Sequence, residues 1–183
     1  ENLDELYGAS VSPLVRRVGD YQTTGLYCGF MDDRFALPGD RVFEPMLEFL
    51  RELLLDSPKE KGAFLPDFVE SEKKNLISTI ESDRNDKRVY AITRLLRSMC
   101  AGDSFGVPRL GDTEDVAAIT PEDLTRHYEE ILRTSPIALF YVGSAPEKEV
   151  AEAAKALIAG LPREPMDLPA QTRFTPGAGV DDT

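Results

Sequence analysis

The 183 residues are 42% hydrophobic and carry 33 acidic against 21 basic side chains, a formal net charge of −12. That hydrophobic share at this length can bury a core, and the acidic balance argues against a nucleic-acid partner, because phosphate binding needs clustered Lys and Arg that release counterions. No long apolar run and no basic-then-apolar leader is visible, so the expectation is no membrane partner and a cytoplasmic setting.

In chain order, residues 1–7 resemble the last turns of a helix stopped by Gly8. Residues 9–18 and 21–31 are strand candidates separated by the turn pair Gly19-Asp20, and a hairpin is the simplest reading. In the second arm Leu26, Cys28 and Phe30 alternate to one face, while Gly25 and Gly29 thin the other, as a packed helix would require. In the first arm Pro13 lacks a donor and Arg16 and Arg17 place consecutive charges, which marks an edge strand. Cys28 and Cys100 form no CxxC or Cys/His cluster and are expected to be buried, reduced thiols.

Residues 42–55 carry Phe43, Met46, Leu47, Leu50, Leu53 and Leu54 at helical spacing, with Pro45 in the first turn. Residues 64–99 read as two helical pieces in tandem. Val69, Leu76, Ile77 and Ile80 form the first apolar stripe, and Val89, Ile92, Leu95, Leu96 and Met99 form the second. Between them lies an all-polar run in which Asn85 or Asp86 can cap the second piece. These stripes are expected to organise the core. Residues 102–119 read as an ordered loop. Thr120-Pro121-Glu122-Asp123 is a helix start with a hydroxyl cap, Pro at the first position and acids in the first turn. Ser144 and Glu147 have the spacing of a capping box for a helix reaching about Ala159. Residues 137–142 (IALFYV) lie between these helices and are expected to form a strand buried on both faces. The fold class is therefore α+β, with helices packed on a mixed, mainly antiparallel sheet; residues 1–161 form one domain and 162–183 a linker.

Chemistry is sparse. Zinc catalysis needs three protein ligands and an open position. The chain has one histidine, His127, with Glu130 three residues on and no second imidazole or thiolate beside it. No GxSxG elbow, GxxxxGK[ST] or GxGxxG occurs. Glu70, Glu72 and Glu81 can be imagined as an acid–base pair, but Lys73, Lys74, Arg84 and Lys87 balance them as a solvated charged face.

Several strings, taken together, resemble the pitrilysin/insulinase superfamily, which includes the mitochondrial processing peptidases. They are LDELYGASV (3–11), PMLEFLRELL (45–54), FLPDFVESEKKNLISTI (64–80), LGDTEDVAAITPEDLTRHYEEIL (110–132) and ALFYVGS (138–144). The resemblance implies a LuxS/MPP-like metallohydrolase fold lacking its N-terminal part. Active members carry His-x-x-Glu-His on an earlier helix and take a Glu ligand from the helix matching 64–81. The inverted motif is absent here. Two Glu residues seven apart are common on that helix; placing the first on Glu72 puts the ligand position on Thr79, and a shifted register would bring Glu81 close instead. A hydroxyl is a poor zinc ligand beside a carboxylate. The string DRNDKRVYA (83–91) is similar to bacterial non-catalytic members that work beside an active subunit.

The resemblance thus implies no catalytic residue and no cofactor. It also implies a peptide or an active peptidase-family subunit as partner, in a homo- or heterodimer, held by strand addition at Leu14, Val15, Arg16, Arg17 and Val18. The alternatives are a fragment of an active zinc metalloendopeptidase whose ligand motif lies upstream, with zinc as cofactor, and a stand-alone adaptor.

Overall fold

The computed structural model describes residues 6–168 and 170. Strands β1 (Ser10–Val18) and β2 (Tyr21–Gly29) form an antiparallel hairpin whose register runs from Ser10↔Gly29 to Val18↔Tyr21. Gly19 supplies the turn with φ 60, a conformation that costs a side-chain-bearing residue energy. A 3-10 turn at Asp33–Phe35 leads to α1 (Phe43–Leu55). The two-residue strands β3 (Lys59–Glu60) and β4 (Ala63–Phe64) then pair antiparallel. The helices α2 (Pro66–Asn85), α3 (Lys87–Met99), α4 (Thr113–Ala118), α5 (Pro121–Thr134) and α6 (Glu147–Ile158) complete the order, with a second 3-10 turn at Ser104–Gly106. The protein is α+β, and both sheets among the described residues are two-stranded and antiparallel, without the parallel pairing that a mixed sheet needs.

The main core lies on α1. Its stripe buries Phe43, Met46 and Leu50, and Met46 and the preceding Val42 are fully enclosed. Ala9, Val11, Leu26, Cys28 and Phe30 from the hairpin side and Leu157 of α6 pack around Met46 and Leu50. The rings of Phe30 and Tyr141 stand 6.2 and 5.5 Å from that of Phe43. Away from this core, Val69 and Ile80 of α2, Val116 of α4 and Thr125 of α5 are also buried. Thr125 Oγ1 accepts from the Phe64 N–H at 2.9 Å and donates to the Pro121 carbonyl at 2.7 Å, so this buried hydroxyl is satisfied. The Phe64 ring stands 5.3 Å from that of Tyr128, whose hydroxyl donates to the Leu54 carbonyl and ties α5 to the end of α1.

Several expectations change. The stripes of 64–99 contribute less than expected: α2 buries only Val69 and Ile80, and α3 buries no residue. The two helices are separate, because Asp86 takes an extended conformation (φ −76, ψ 106) and its carboxylate accepts from the N–H groups of Arg88 and Val89. The 102–119 segment contains a turn of 3-10 helix and α4 as well as loop. Residues 137–142 form no strand, and Phe140 and Val142 are almost wholly exposed, because no neighbouring strand among the described residues reaches their backbone. The Ser144/Glu147 capping box does not form: α6 begins at Glu147 with Pro146 at the cap, which leaves Ser144 too early, and its hydroxyl donates to Asp32 instead.

The helix face of the hairpin is the Leu26/Cys28 face, not the glycine face, where Tyr27 is exposed and a Cβ on Gly25 would meet nothing within 4 Å. Cys28 and Cys100 are free and half-buried, and burial pushes the Cys28 thiol up. The start of the 162–183 segment is docked: Glu164 and Met166 donate their N–H groups to the Arg133 and Thr134 carbonyls at 2.9 and 2.8 Å. Arg163 donates to the Leu132 and Ser135 carbonyls at the end of α5, where a cation complements the exposed carbonyls. The expected helix end at 1–5 and the tail at 171–183 lie outside the described residues.

Candidate functional site

β1 has one ladder partner among the described residues, β2, so its outer edge is unpaired. Across a two-residue turn the flanking pair is hydrogen-bonded, and every second pair after it. The bonded pairs are then Val18↔Tyr21, Arg16↔Thr23 and Leu14↔Gly25, and the pairs between them are Arg17↔Gln22 and Val15↔Thr24. Thr23 Oγ1 donates to the Arg16 carbonyl at 3.2 Å, which places that carbonyl on the inner side as the alternation requires. The backbone groups turned to the outer edge are therefore those of Val15 and Arg17. Pro13 belongs to the same outward set through its pairing with Leu26, so its missing N–H costs the hairpin no bond.

The five residues expected to act together do share this strand, but they do different things. Val15 and Val18 are exposed apolar side chains, Arg16 is exposed, and Leu14 and Arg17 are half-buried. Arg17 is a clamp and not a free charge. Its guanidinium donates to the carbonyls of Ser104 and Phe105, the latter at 3.0 Å, and lies 5.4 Å over the Phe105 ring. Ser104 Oγ donates to Asp20 Oδ1 at 2.8 Å. The 104–106 turn is thus strapped to the hairpin at the end where β1 meets Gly19.

The carboxylates of α2 do not converge. Glu72 and Thr79, seven residues and two turns apart, share one helix face, and both are exposed. Thr79 Oγ1 donates to the Asn75 carbonyl of its own helix at 2.9 Å. Glu70 pairs with Lys73 at 2.8 Å, and Lys73 also donates to the Ile119 carbonyl, so this pair ties α2 to the segment after α4. Glu81 is exposed. His127 lies on the surface of α5. Among the described residues no three His, Cys, Asp or Glu side chains come together as metal ligands.

Sequence reasoning missed the polar network that fixes the loop before α1. Asp33 Oδ1 accepts from the N–H groups of Val42 and Phe43 at 2.8 and 3.0 Å, capping α1 from nine and ten residues upstream. Burial raises the Asp33 carboxyl, and these two bonds together with Arg41 outweigh it, leaving it below the usual carboxylate range. The Ser144 hydroxyl, followed by the Arg34 N–H, likewise lowers Asp32. Tyr7 donates to Asp40 and accepts from the Leu37 N–H at 3.0 Å. Apart from the Asp32 cap on Arg34, two residues on, these bonds come from residues distant in the chain, so no local motif announces them. No helix among the described residues is long and apolar enough to cross a membrane.

No family model matches the chain. It is 29% identical over 151 residues to a Bacillus subtilis (strain 168) protein named "Probable inactive metalloprotease YmfF", a match covering 82% of this chain and 35% of that relative. A crystal structure of a conserved protein from Enterococcus faecalis V583 superposes with a TM-score of 0.87 at 24% identity, over 98% of this chain and 42% of the other. The second likeness shows a shared fold. The first makes the chain similar to a metalloprotease-like protein named as inactive. The chain spans less than half the length of either.

Proposed function

We propose that this chain is a non-catalytic, peptidase-like unit that holds an extended polypeptide, either a peptide or an active partner subunit, along the outer edge of β1. The finer assignment to the pitrilysin/insulinase superfamily, with its LuxS/MPP-like fold, belongs to this reading and rests on the strings quoted above. The cytoplasmic setting belongs to it too.

The observation that carries the binding role is the unpaired β1 edge, where Val15 and Arg17 offer both N–H and C=O to an added strand. Exposed Val15 and Val18 supply apolar contact beside it. The non-catalytic part is supported by the dispersal of Glu72, Thr79, Glu81 and His127 and by the name of the Bacillus relative. The hydroxyl at Thr79, turned back on its own helix, fits a surface that has no ligand to hold.

Amide chemical shifts of the 15N-labelled chain, titrated with a blocked peptide of alternating valine and threonine, test the binding edge. The Val15 and Arg17 amides are expected to shift more than those of Leu14, Arg16 and Val18, because only the former point outward. Equal shifts at all five, or none at millimolar peptide, would refute edge addition.

A further inference from the structure

The side chains of Val15 and Arg17 share the face of β1 that carries Val11 into the core, because alternate residues of a strand point the same way. Towards Gly19 the core no longer covers that face, and Val15 is 39% exposed. Its neighbour there is Phe105, 88 residues beyond Arg17 in the chain. The ring is held in place from several sides. The Arg17 guanidinium lies 5.4 Å over it and donates to the Ser104 and Phe105 carbonyls. Asp103 Oδ1 accepts from the Phe105 N–H at 2.7 Å, and Ser104 Oγ is tied to Asp20. Gly106 lets the turn press against the end of α3, where a Cβ would collide with the Cys100 carbonyl oxygen. Yet the anchored ring is 44% exposed, so its anchoring does more than fill a core.

We propose that Phe105 is a specificity-determining residue of the β1 edge: an aromatic wall that selects an apolar, above all aromatic, side chain from the strand added there, with Arg17 as its positioning residue. The inference rests on the edge reading of β1 and adds to it the side-chain chemistry of the ligand. An added strand runs about 4.8 Å from β1, and its side chain opposite Arg17 stands about 5 Å away on the same face. That side chain comes alongside the Phe105 ring, with Val15 on its flank. An apolar group there removes the bare parts of Phe105 and Val15 from water, and an aromatic one adds ring contact. A small polar group leaves both wet. Because the ring is already fixed, little further ordering is needed when the strand arrives.

Amide-shift titrations with three blocked peptides, in which threonine alternates with valine, phenylalanine or serine, test the proposal. In the unsubstituted chain the phenylalanine peptide is expected to bind about 5-fold more tightly than the valine peptide, and the serine peptide more weakly than either. In Phe105→Ala the preference for phenylalanine over valine is expected to fall to within about 2-fold. Arg17→Lys keeps the charge but gives up the planar fork that holds the ring, and the same fall is expected there. The spectrum of each variant shows whether it is folded. An unchanged preference in either folded variant, or equal affinities for the three peptides in the unsubstituted chain, overturns the inference while the Val15 and Arg17 shifts still support the edge. No shift at Val15 and Arg17 with any peptide overturns the edge reading, and this inference with it.

Discussion

Truncating Met46 to alanine should cost far more stability than truncating Ile92, although both lie on strong apolar stripes of amphipathic helices. Met46 is fully enclosed between α1, the hairpin and α6, whereas Ile92 on α3 is 53% exposed. Met46→Ala removes three methylene-sized groups, about 2.4 kcal/mol at about 0.8 kcal/mol each, and the cavity left behind brings the total into the range of about 2–5 kcal/mol. Ile92→Ala removes groups already half in water and should cost under about 1 kcal/mol. Urea unfolding followed by circular dichroism separates the two. Met46→Ala should lower the midpoint strongly at unchanged slope, and Ile92→Ala should barely move it. Equal losses, or the reverse order, would refute the placement of the core on α1.

Asp33→Ala should remove the acceptor for the Val42 and Phe43 N–H groups and cost about 1 kcal/mol at neutral pH, the usual size of a lost helix cap. Because the folded carboxyl is depressed, its contribution is full above its unfolded value of about 3.9 and disappears as pH falls through the lower folded value. The difference between wild type and variant in thermal melts should therefore shrink as pH falls below the unfolded value of about 3.9; a constant difference would contradict the assignment. Thr79→Glu should restore the carboxylate spacing from Glu72 without creating a zinc site, because no third donor approaches among the described residues. Metal analysis after dialysis should find no retained equivalent, and a stoichiometric one would show that the donors come together after all.

The helices were legible because their cues are local. The stripe of α1, the break before α3 with Asp86 as its cap, and the Thr120 cap of α5, whose hydroxyl accepts from the Asp123 N–H at 3.1 Å, all sit within a few residues of what they control. The hairpin was legible for the same reason, with Gly19 at its turn. What failed was non-local. A stripe says that a helix is amphipathic, not what covers it, so Val89, Ile92 and Met99 read like Phe43, Met46 and Leu50 and ended exposed. Residues 137–142 have the composition of a buried strand, but burial needs partners that their own sequence cannot name. At the site, Pro13 and the paired arginines marked β1 as an edge, while the diversion of Arg17 to Ser104 and Phe105 depends on a loop far along the chain.

The proposed function is that of a peptidase-like, non-catalytic unit. Zinc content and chelator-sensitive hydrolysis of an unstructured peptide library, measured together on the natural polypeptide at full length, test it most directly. The account predicts no bound zinc and no hydrolysis above background. One zinc per chain, with hydrolysis abolished by chelator and restored by zinc, would contradict it.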